Sequence, residues 1–477
     1  MTFPITGALI LVLGVGLFLF SPRFLYAAMI VSIPFTATAV VNLRSGDEGK
    51  GIAAWLFLGT LWVLREIVSG RPPWHTRGWF ASRRFRLGLL AFLGAVIASL
   101  AVPLILNGTS WVPSPDPTTT ATVPLQFSFY NVTQTAYLAF GIVLGILIAA
   151  ENCHLSKLLY TMRLYVGSCV FAAGWGLFQF WCNLTGRTYP SYLFNNSKTA
   201  SALGYKETLT LAMGSMTRVS SVALEPSVFA EEILLALVVL LVSMTLNRPV
   251  FSKKWDRTAV VLIVAALVVS TSTTAYAGMF FALIAAGVAL RRARKPTKRY
   301  FILAGTAAGL GVLVIALAPL LGQLASTVIL YKLHSGSGLA RLHSVTLAAQ
   351  DFLSYPILGA GWHSVDCWDL VLLIMANTGI VGLLAFAYFL FPVFKGLWVS
   401  AGKGKGTAVV LLATVGLAVI LAEAAGLTYS AGYDWLFFGL GAGAVVAVQS
   451  DRTVKAKRLG TGLDLTRGGL SAEPGTT

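Results

Sequence analysis

Two arginines stand directly before apolar segments, in positions suited to binding a phosphate. Arg218 precedes a Glu225-Pro226-Ser227 triplet, and a long apolar run begins at Val228. Proline favours the first turn of a helix, and the free N–H groups of a helix start favour an anion. Arg218 and this helix start could therefore bind a phosphate together. The alternative is a solvated loop in which Glu225 only complements the helix dipole.

Arg341 opens the second such segment. It follows a Ser-Gly-Ser-Gly turn and begins an amphipathic stretch that ends near Phe352, which predicts a short helix lying in the membrane interface. A guanidinium matches a phosphate with two parallel hydrogen bonds, and such charge-assisted bonds are about twice as strong as neutral ones. The alternative is that Arg341 only extends its charged end to the lipid head groups.

A transfer to a hydroxyl also needs a group that accepts the hydroxyl proton. His363 is one candidate general base, because imidazole has a suitable unperturbed pKa. A surface histidine without a chemical role is the competing interpretation, and Glu225, Asp366 and Asp369 are competing bases.

Metal and nucleotide sites are not expected. His334, His343 and His363 share one loop, but their spacing matches no pair of ligands on one helix face. The glycines of this region lack the strand-turn-helix context of a phosphate loop. We therefore expect no metal and no nucleotide cofactor.

The elements that must position these residues are membrane helices. Of the 477 residues 56% are hydrophobic and only 11% are charged, and the mean hydropathy of +0.78 leaves too little polar material to cover a soluble domain. Apolar windows long enough to cross a bilayer recur along the chain. The predicted fold is an all-α polytopic transmembrane bundle of about 12 to 13 spans, with short interfacial helices in an outward loop. The spans are placed near 4–20, 24–41, 51–69, 87–106, 131–150, 164–182, 228–246, 258–272, 275–290, 300–323, 368–391, 407–427 and 433–448. The pair 258–272 and 275–290 forms either two short helices or a re-entrant hairpin.

The charge of the chain sets its predicted orientation. The net charge is +17, and most of the 35 Lys and Arg residues follow alternate apolar segments, which is the positive-inside pattern and not a nucleic-acid-binding face. We expect an N-terminus outside the cytoplasmic membrane and a cytoplasmic C-terminus. Residues 1–450 then form the membrane domain, and 451–477 form a disordered polar tail. Three long outward loops are predicted at 107–130, 183–227 and 324–367.

The motifs resemble those of the bacterial O-antigen ligase and O-antigen polymerase group of membrane proteins. The resemblance rests on Arg218 with the Glu-Pro-Ser helix start, and on Arg341 before Phe-Leu-Ser-Tyr-Pro-Ile-Leu-Gly-Ala-Gly-Trp. It extends to Leu-Ile-Met-Ala-Asn-Thr-Gly-Ile-Val-Gly-Leu-Leu at the start of the next span. Residues 341–384 carry its most specific part. Ligases of the group carry the histidine further beyond the Gly-x-Gly block than His363 stands here, so ligase and polymerase both stay open.

The resemblance implies a GT-C type glycosyltransferase working on the outer side of the cytoplasmic membrane. Such a protein transfers a glycan from a polyprenyl-pyrophosphate carrier to a lipid or sugar acceptor, without nucleotide sugar or metal. Arg218 and Arg341 match the phosphate-binding arginines of the group, and Glu225 or His363 would be the base. The pyrophosphate is already an activated leaving group, so binding, positioning and proton acceptance suffice.

Two other functions fit parts of the sequence. A secondary transporter or lipid-linked glycan flippase needs ionisable residues inside the bundle. The predicted spans offer a few, namely Arg65, Glu66, Glu151, Glu423 and the pair Glu231 and Glu232. A membrane scaffold without catalysis is the third possibility.

Overall fold

The protein is a helical bundle. A computed structural model describes residues 1–45, 48–70, 82–113, 122–199, 206, 208–211, 214–293, 336–425 and 432–464. The helices are α1 (Ile5–Phe20), α2 (Pro22–Ser32), α3 (Ala54–Val68), α4 (Arg83–Ser99), α5 (Ala101–Leu106), α6 (Phe129–Glu151), α7 (Leu155–Thr185), α8 (Ser191–Phe194), α9 (Pro226–Thr245), α10 (Lys253–Val269), α11 (Thr273–Arg292), α12 (Gly336–Ser354), α13 (Leu370–Gly402), α14 (Gly406–Ala425) and α15 (Gly432–Asp464). Three antiparallel hairpins pair β1 (Ala39–Ser45) with β2 (Glu48–Ala53), β3 (Trp111–Pro113) with β4 (Thr122–Pro124), and β5 (Thr208–Leu211) with β6 (Gly214–Thr217).

The helices confirm the all-α polytopic fold. Within the described ranges, seven helical segments are long and apolar enough to cross a membrane, and two shorter apolar helices accompany them at Ile5–Phe20 and Gly432–Val448. The helix expected after the Ser-Gly-Ser-Gly turn is α12, but it already begins at Gly336, inside the predicted turn, and its location in the membrane interface stays a prediction.

Helix α9 occupies the centre of the bundle. It packs against α7, α10, α11 and α14, and 89% of its apolar window is buried inside the protein. A helix covered on all sides by protein can carry polar side chains that lipid would not accommodate. Both Glu231 and Glu232 are fully buried in α9.

Contacts between distant segments define one face of the bundle, which we call the site face. The backbones of Thr2 and Asn42 exchange two hydrogen bonds of 2.9 Å, so the N-terminus lies beside the β1–β2 hairpin. The Asn42 side chain accepts a bond from the Lys198 amide at 2.8 Å, and the Ala37 amide donates to the Val222 carbonyl at 3.1 Å. The site face thus joins the N-terminus, the first hairpin and the segment that ends at α9.

A second set of contacts lies at the other ends of the helices. The Arg163 side chain donates to the Val250 carbonyl at 2.6 Å, and Arg292 donates to the Trp398 carbonyl while its guanidinium lies over the Trp398 ring. We call this the opposite face.

The predicted span 24–41 is wrong at its C-terminal half. Helix α2 ends at Ser32, and the chain turns and enters strand β1 at Ala39. Pro34 has no backbone N–H to continue the helical hydrogen bonds, so the helix stops before it, and the β-branched residues that follow suit a strand. The hydropathy of this window does not distinguish the helix from the strand that follows it.

Two further predictions can be compared with the structure. Residues 258–272 and 275–290 fall in two separate helices, α10 and α11. Helix α15 continues to Asp464, past the start of the predicted disordered tail at 451, and the disorder of this tail stays a prediction. The predicted span 300–323 and the tail beyond 464 lie outside the described residues.

Helix α13 is broken at Gly379, where φ is +64°. The break leaves two carbonyls and two amides without helical partners, and the segment 356–361 supplies the missing bonds in reciprocal fashion. The amides of Ala360 and Gly361 donate to the carbonyls of Ala376 and Asn377 at 2.7 and 3.1 Å. The amide of Ile380 donates to the Pro356 carbonyl at 2.9 Å.

Glycine is required where these two segments touch. Gly359 and Gly361 also have positive φ, and a Cβ atom at Gly359 would meet the backbone of Asn377 and Thr378. Irregular backbone at membrane depth is stable only where protein satisfies its polar groups. The Gly-Ala-Gly-Trp and Asn-Thr-Gly motifs thus form one hydrogen-bonded unit, which we call the break unit (356–361 with 376–381).

Candidate functional site: an arginine cluster at the start of helix α9

Arg218 and Glu225 stand at the two ends of a rigid loop. The loop interior, Val219 to Ala223, is fully buried. The Ser221 amide donates to the Gln179 side chain at 2.7 Å, and the Ser221 hydroxyl donates to the Ala172 carbonyl at 2.6 Å. These bonds to α7 hold the loop, so the positions of both charged residues at its ends are set by the bundle.

Glu225 is the N-cap residue of α9, and Pro226 occupies the first helical position as the sequence predicted. The Ser227 hydroxyl donates to the Glu225 carboxylate at 3.3 Å. Glu225 is half-buried, so its carboxylate stays accessible at the site face.

Arg341 lies in the first half of α12 and reaches over an aromatic ring. Its guanidinium carbon is 4.9 Å from the centre of the Trp368 ring, a cation–π contact. Its Nε atom is buried and has no hydrogen-bond partner among the described residues. A buried donor without a partner is costly, which marks a position that a bound acceptor would satisfy.

The structure brings the two arginines together with two glutamates. Arg341 interacts electrostatically with Glu231, Glu225 and Arg218. Burial lowers the pKa of Arg341, the two carboxylates raise it, and the neighbouring Arg218 lowers it. We call these four residues the arginine cluster. Because two like charges are costly side by side, an anion bound between the two arginines would be stabilised.

Glu231 extends the cluster into the bundle. The Tyr433 hydroxyl, at the start of α15, donates to Glu231 Oε2 at 2.6 Å. The other carboxylate oxygen, Oε1, is buried without a hydrogen-bond partner in the described part of the chain. Tyr433 is itself buried, so this bond fixes the glutamate side chain from behind.

His363 has surroundings unlike those of the arginine cluster. Its ring packs edge-on against Tyr130 with centroids 4.9 Å apart, its φ is +60°, and burial lowers its pKa to about 4. The neighbouring Trp362 is held by Ser99 and Asn131, through bonds to its amide and carbonyl of 3.0 and 2.7 Å. Glu225 belongs to the arginine cluster, so it is the candidate proton acceptor that lies beside the two arginines.

The other two acidic candidates differ in role. Asp369 is the N-cap of α13, and its carboxylate accepts a hydrogen bond from the Leu372 amide at 2.7 Å. This carboxylate therefore already serves to cap the helix. Burial raises the pKa of Asp366 to about 6. Asp366 interacts electrostatically with Tyr130 and so belongs to the surroundings of His363.

An apolar cavity opens between α4, α13, α14 and α15. Its walls are mostly aromatic and aliphatic, and Asp434 is the one acidic residue among those that line it. Asp434 follows Tyr433 and interacts electrostatically with Glu231, so one wall residue of the cavity lies near the arginine cluster.

Sequence reasoning missed three members of this arrangement: Glu231, Tyr433 and Trp368. The signal for Glu231 was present, because a carboxylate inside an apolar helix is expensive and is usually functional. Tyr433 and Trp368 have no such signal, since aromatic residues are common at membrane interfaces.

Compared with known proteins, the chain matches no protein-family model and no curated protein.

Proposed function

We propose that the protein transfers or polymerises a glycan carried on a polyprenyl pyrophosphate, on the extracytoplasmic side of the cytoplasmic membrane, as the resemblance to O-antigen ligases and polymerases implies. The observation that carries this proposal is the arginine cluster at the start of α9. Two guanidinium groups and a helix N-terminus supply the donors that a diphosphate needs.

The orientation in this proposal rests on the charge pattern. With the site face outside, the segments 151–163, 247–257 and 392–406, which all carry Lys or Arg residues, are cytoplasmic, as the positive-inside rule requires. Arg218 and Arg341 then lie on the outer side, where the positive-inside rule does not account for their charges.

The chemistry follows from the residues. Arg218 and Arg341 bind the two phosphates and stabilise the charge that grows on the leaving diphosphate as the glycosidic bond breaks. Glu225 accepts the proton of the attacking acceptor hydroxyl. No metal or nucleotide is required, because the diphosphate leaves as a stable anion held by arginines.

The apolar cavity supports a lipid-linked substrate. A polyprenyl chain needs an apolar path near the group that binds its head, and Asp434 of the cavity wall lies near Glu231 of the cluster. The acceptor can be a lipid or a sugar, and membrane lipids contact the rest of the bundle. Nucleic acid is not a partner in this proposal.

Binding of farnesyl diphosphate to the full-length protein in nanodiscs tests the proposal. Arg218→Gln and Arg341→Gln should each weaken binding about 10- to 100-fold, the worth of one lost hydrogen bond to a charged group. Arg187→Gln is the matched control, because Arg187 belongs to the same predicted outward loop and also lies over a tryptophan ring, Trp181, at 4.8 Å.

The outcome is decided by comparison of the variants. Equal losses in all three would show only general attraction of an anion to a basic surface. Unchanged binding in both cluster variants would refute the proposal. In the cell, deletion of the gene should alter the surface polysaccharide or accumulate carrier-linked glycan.

A transporter or lipid-linked glycan flippase is the second candidate, favoured by the buried carboxylates of Glu231 and Glu232 in α9. It is distinguished by proteoliposomes that contain the protein. Movement of a carrier-linked glycan across the bilayer, without any change of the glycan, would support it.

A further inference from the structure

We infer that the ends of α11 and α13 on the opposite face form a binding site for an anionic phospholipid, whose phosphate is bound by Arg292 and Lys403. We call this the lipid site. It lies at the other ends of the helices from the arginine cluster, and it does not depend on the proposed transfer reaction. With the orientation proposed above, its lipid belongs to the cytoplasmic leaflet.

Arg292 is the last residue of α11, and its side chain is held across the end of α13. Its Nε atom donates to the Trp398 carbonyl at 3.2 Å, and its guanidinium carbon lies 5.0 Å from the centre of the Trp398 ring. The guanidinium also lies against the Gly402 backbone, where a Cβ atom would come within 2.7 Å of it. In the described part of the chain this hydrogen bond uses Nε alone, so the two terminal nitrogens can bind the oxygens of a phosphate.

Two further cations stand beside Arg292. Lys403 directly follows Gly402, and its side chain is exposed. Arg248 lies against Gly406 at the start of α14, where a Cβ atom would be 3.2 Å from the Arg248 side chain. Among the described residues, no carboxylate forms an ion pair with Arg248, Arg292 or Lys403. The connection between α13 and α14 thus concentrates positive charge from three parts of the chain, and such a surface attracts an anion.

Exposed apolar side chains lead away from these cations along both helices. On α11, Val288 precedes Arg292 by one turn, lies on the same face and is exposed. On α13, Phe391 and Trp398 are exposed, and Lys395 between them lies over the Phe391 ring at 5.7 Å. The two helices pack against one another. The site therefore has cations at the helix ends and apolar surface below them, which is the order of the phosphate and the acyl chains in a phospholipid.

The charge of the site selects among the possible ligands. Basic pockets between helix ends at the membrane surface suit anionic head groups. A zwitterionic lipid such as phosphatidylcholine carries an ammonium group that the same cations repel. A soluble phosphate compound has no acyl chains, so it gains only an electrostatic attraction that salt screens. An anionic phospholipid is the ligand that uses both the cations and the apolar surface.

Native mass spectrometry of the full-length protein in detergent tests the inference, with dioleoyl phosphatidylglycerol as the probe. We expect the wild-type protein to bind this lipid at least tenfold more tightly than dioleoyl phosphatidylcholine. Arg292→Gln and Lys403→Gln should each weaken phosphatidylglycerol binding about tenfold, because each removes one charge-assisted bond to the phosphate. Glycerol 3-phosphate, which has a phosphate and no acyl chains, should not displace the lipid at equal concentration.

Arg23→Gln is the matched control. Arg23 is also an exposed arginine on the opposite face, near the start of α2, and α2 packs against α1, α3 and α7. This variant should bind phosphatidylglycerol as the wild-type protein does. All three variants should bind farnesyl diphosphate normally, because the arginine cluster is intact. Where Arg292→Gln gives no folded protein, Lys403→Gln carries the comparison, since Lys403 is exposed.

Four outcomes would overturn the inference. Equal binding of the two phospholipids would show adhesion to apolar surface alone. Equal losses in the two site variants and in Arg23→Gln would show general attraction to a basic face. Unchanged binding by Arg292→Gln and Lys403→Gln would place the lipid elsewhere. Displacement by an equal concentration of glycerol 3-phosphate would assign the site to a soluble phosphate. None of these results bears on the proposed function, which is tested by farnesyl diphosphate at the other face.

Discussion

Substitution of Gly359 by alanine should disrupt the break unit, and a second glycine of the chain provides the control. Gly359 has φ +69°, and a Cβ atom there would meet the backbone of Asn377 and Thr378. Gly186 has φ +67° at the end of α7, and nothing lies within 4 Å of its Cβ position. The two sites thus share the strain of a left-handed residue and differ in the clash.

The magnitude follows from these two contributions. A left-handed alanine costs about 1–2 kcal/mol at either site. At Gly359 the clash also separates 356–361 from α13, and the Ala360 and Gly361 amides lose their buried bonds to the helix break. Each orphaned buried group costs about 1–3 kcal/mol, so Gly359→Ala should lose about 2–6 kcal/mol more than Gly186→Ala.

The assay is thermal unfolding of both variants in the same detergent, followed by tryptophan fluorescence. We expect Gly186→Ala to unfold slightly below the wild-type protein and Gly359→Ala to unfold far below it or to fail in purification. Equal unfolding temperatures for the two variants would refute the reasoning, because they would mean that the two segments do not press against one another.

Two further predictions concern buried polar groups. The Asn377 side chain exchanges hydrogen bonds of 3.0 and 2.8 Å with the amide and carbonyl of Val365. The Thr378 hydroxyl donates to a carbonyl of its own helix. Asn377→Leu should therefore lower the unfolding temperature well below that of Thr378→Val. Equal temperatures would contradict this. Burial raises the pKa of Asp351 to about 7, above its unfolded value, so the fold loses stability as the pH rises from about 4 to about 7, and the whole loss is present at higher pH. Asp351→Asn should therefore raise the unfolding temperature at pH 8, and the gain should shrink as the pH falls toward 5; a gain independent of pH would show that the carboxylate charge is not responsible.

The helix starts were the most predictable part of the fold and the site. Pro226 fixes the beginning of α9 through a local steric preference, and the predicted amphipathic period forms α12, although that helix begins at Gly336, earlier than the predicted turn allowed. Such signals are carried by residues close together in the chain. The end of α2 was missed although Pro34 was visible, because the surrounding window is apolar in both a helix and a strand.

The contacts that complete the site could not be predicted from local patterns. Tyr433 and Glu231 are separated by 202 positions, and hydropathy does not specify which faces of α9 and α15 meet. The role of the Gly-Ala-Gly-Trp motif was also hidden, because its partner carbonyls exist only when α13 is broken at Gly379. Without that break, the motif reads as a flexible loop.

The reciprocal bonding at Gly379 has a consequence for the order of membrane insertion. As α13 leaves the translocon, its broken turn would present unpaired amides and carbonyls to lipid, at a cost of several kcal/mol for each group. The segment 356–361, which satisfies these groups, has been synthesised only some twenty residues earlier. It is therefore already present when α13 emerges, and the loop that must close is short. Assembly of this half of the protein can then proceed co-translationally, with 356–361 and α13 entering their final arrangement as one hairpin before the later spans α14 and α15 are made.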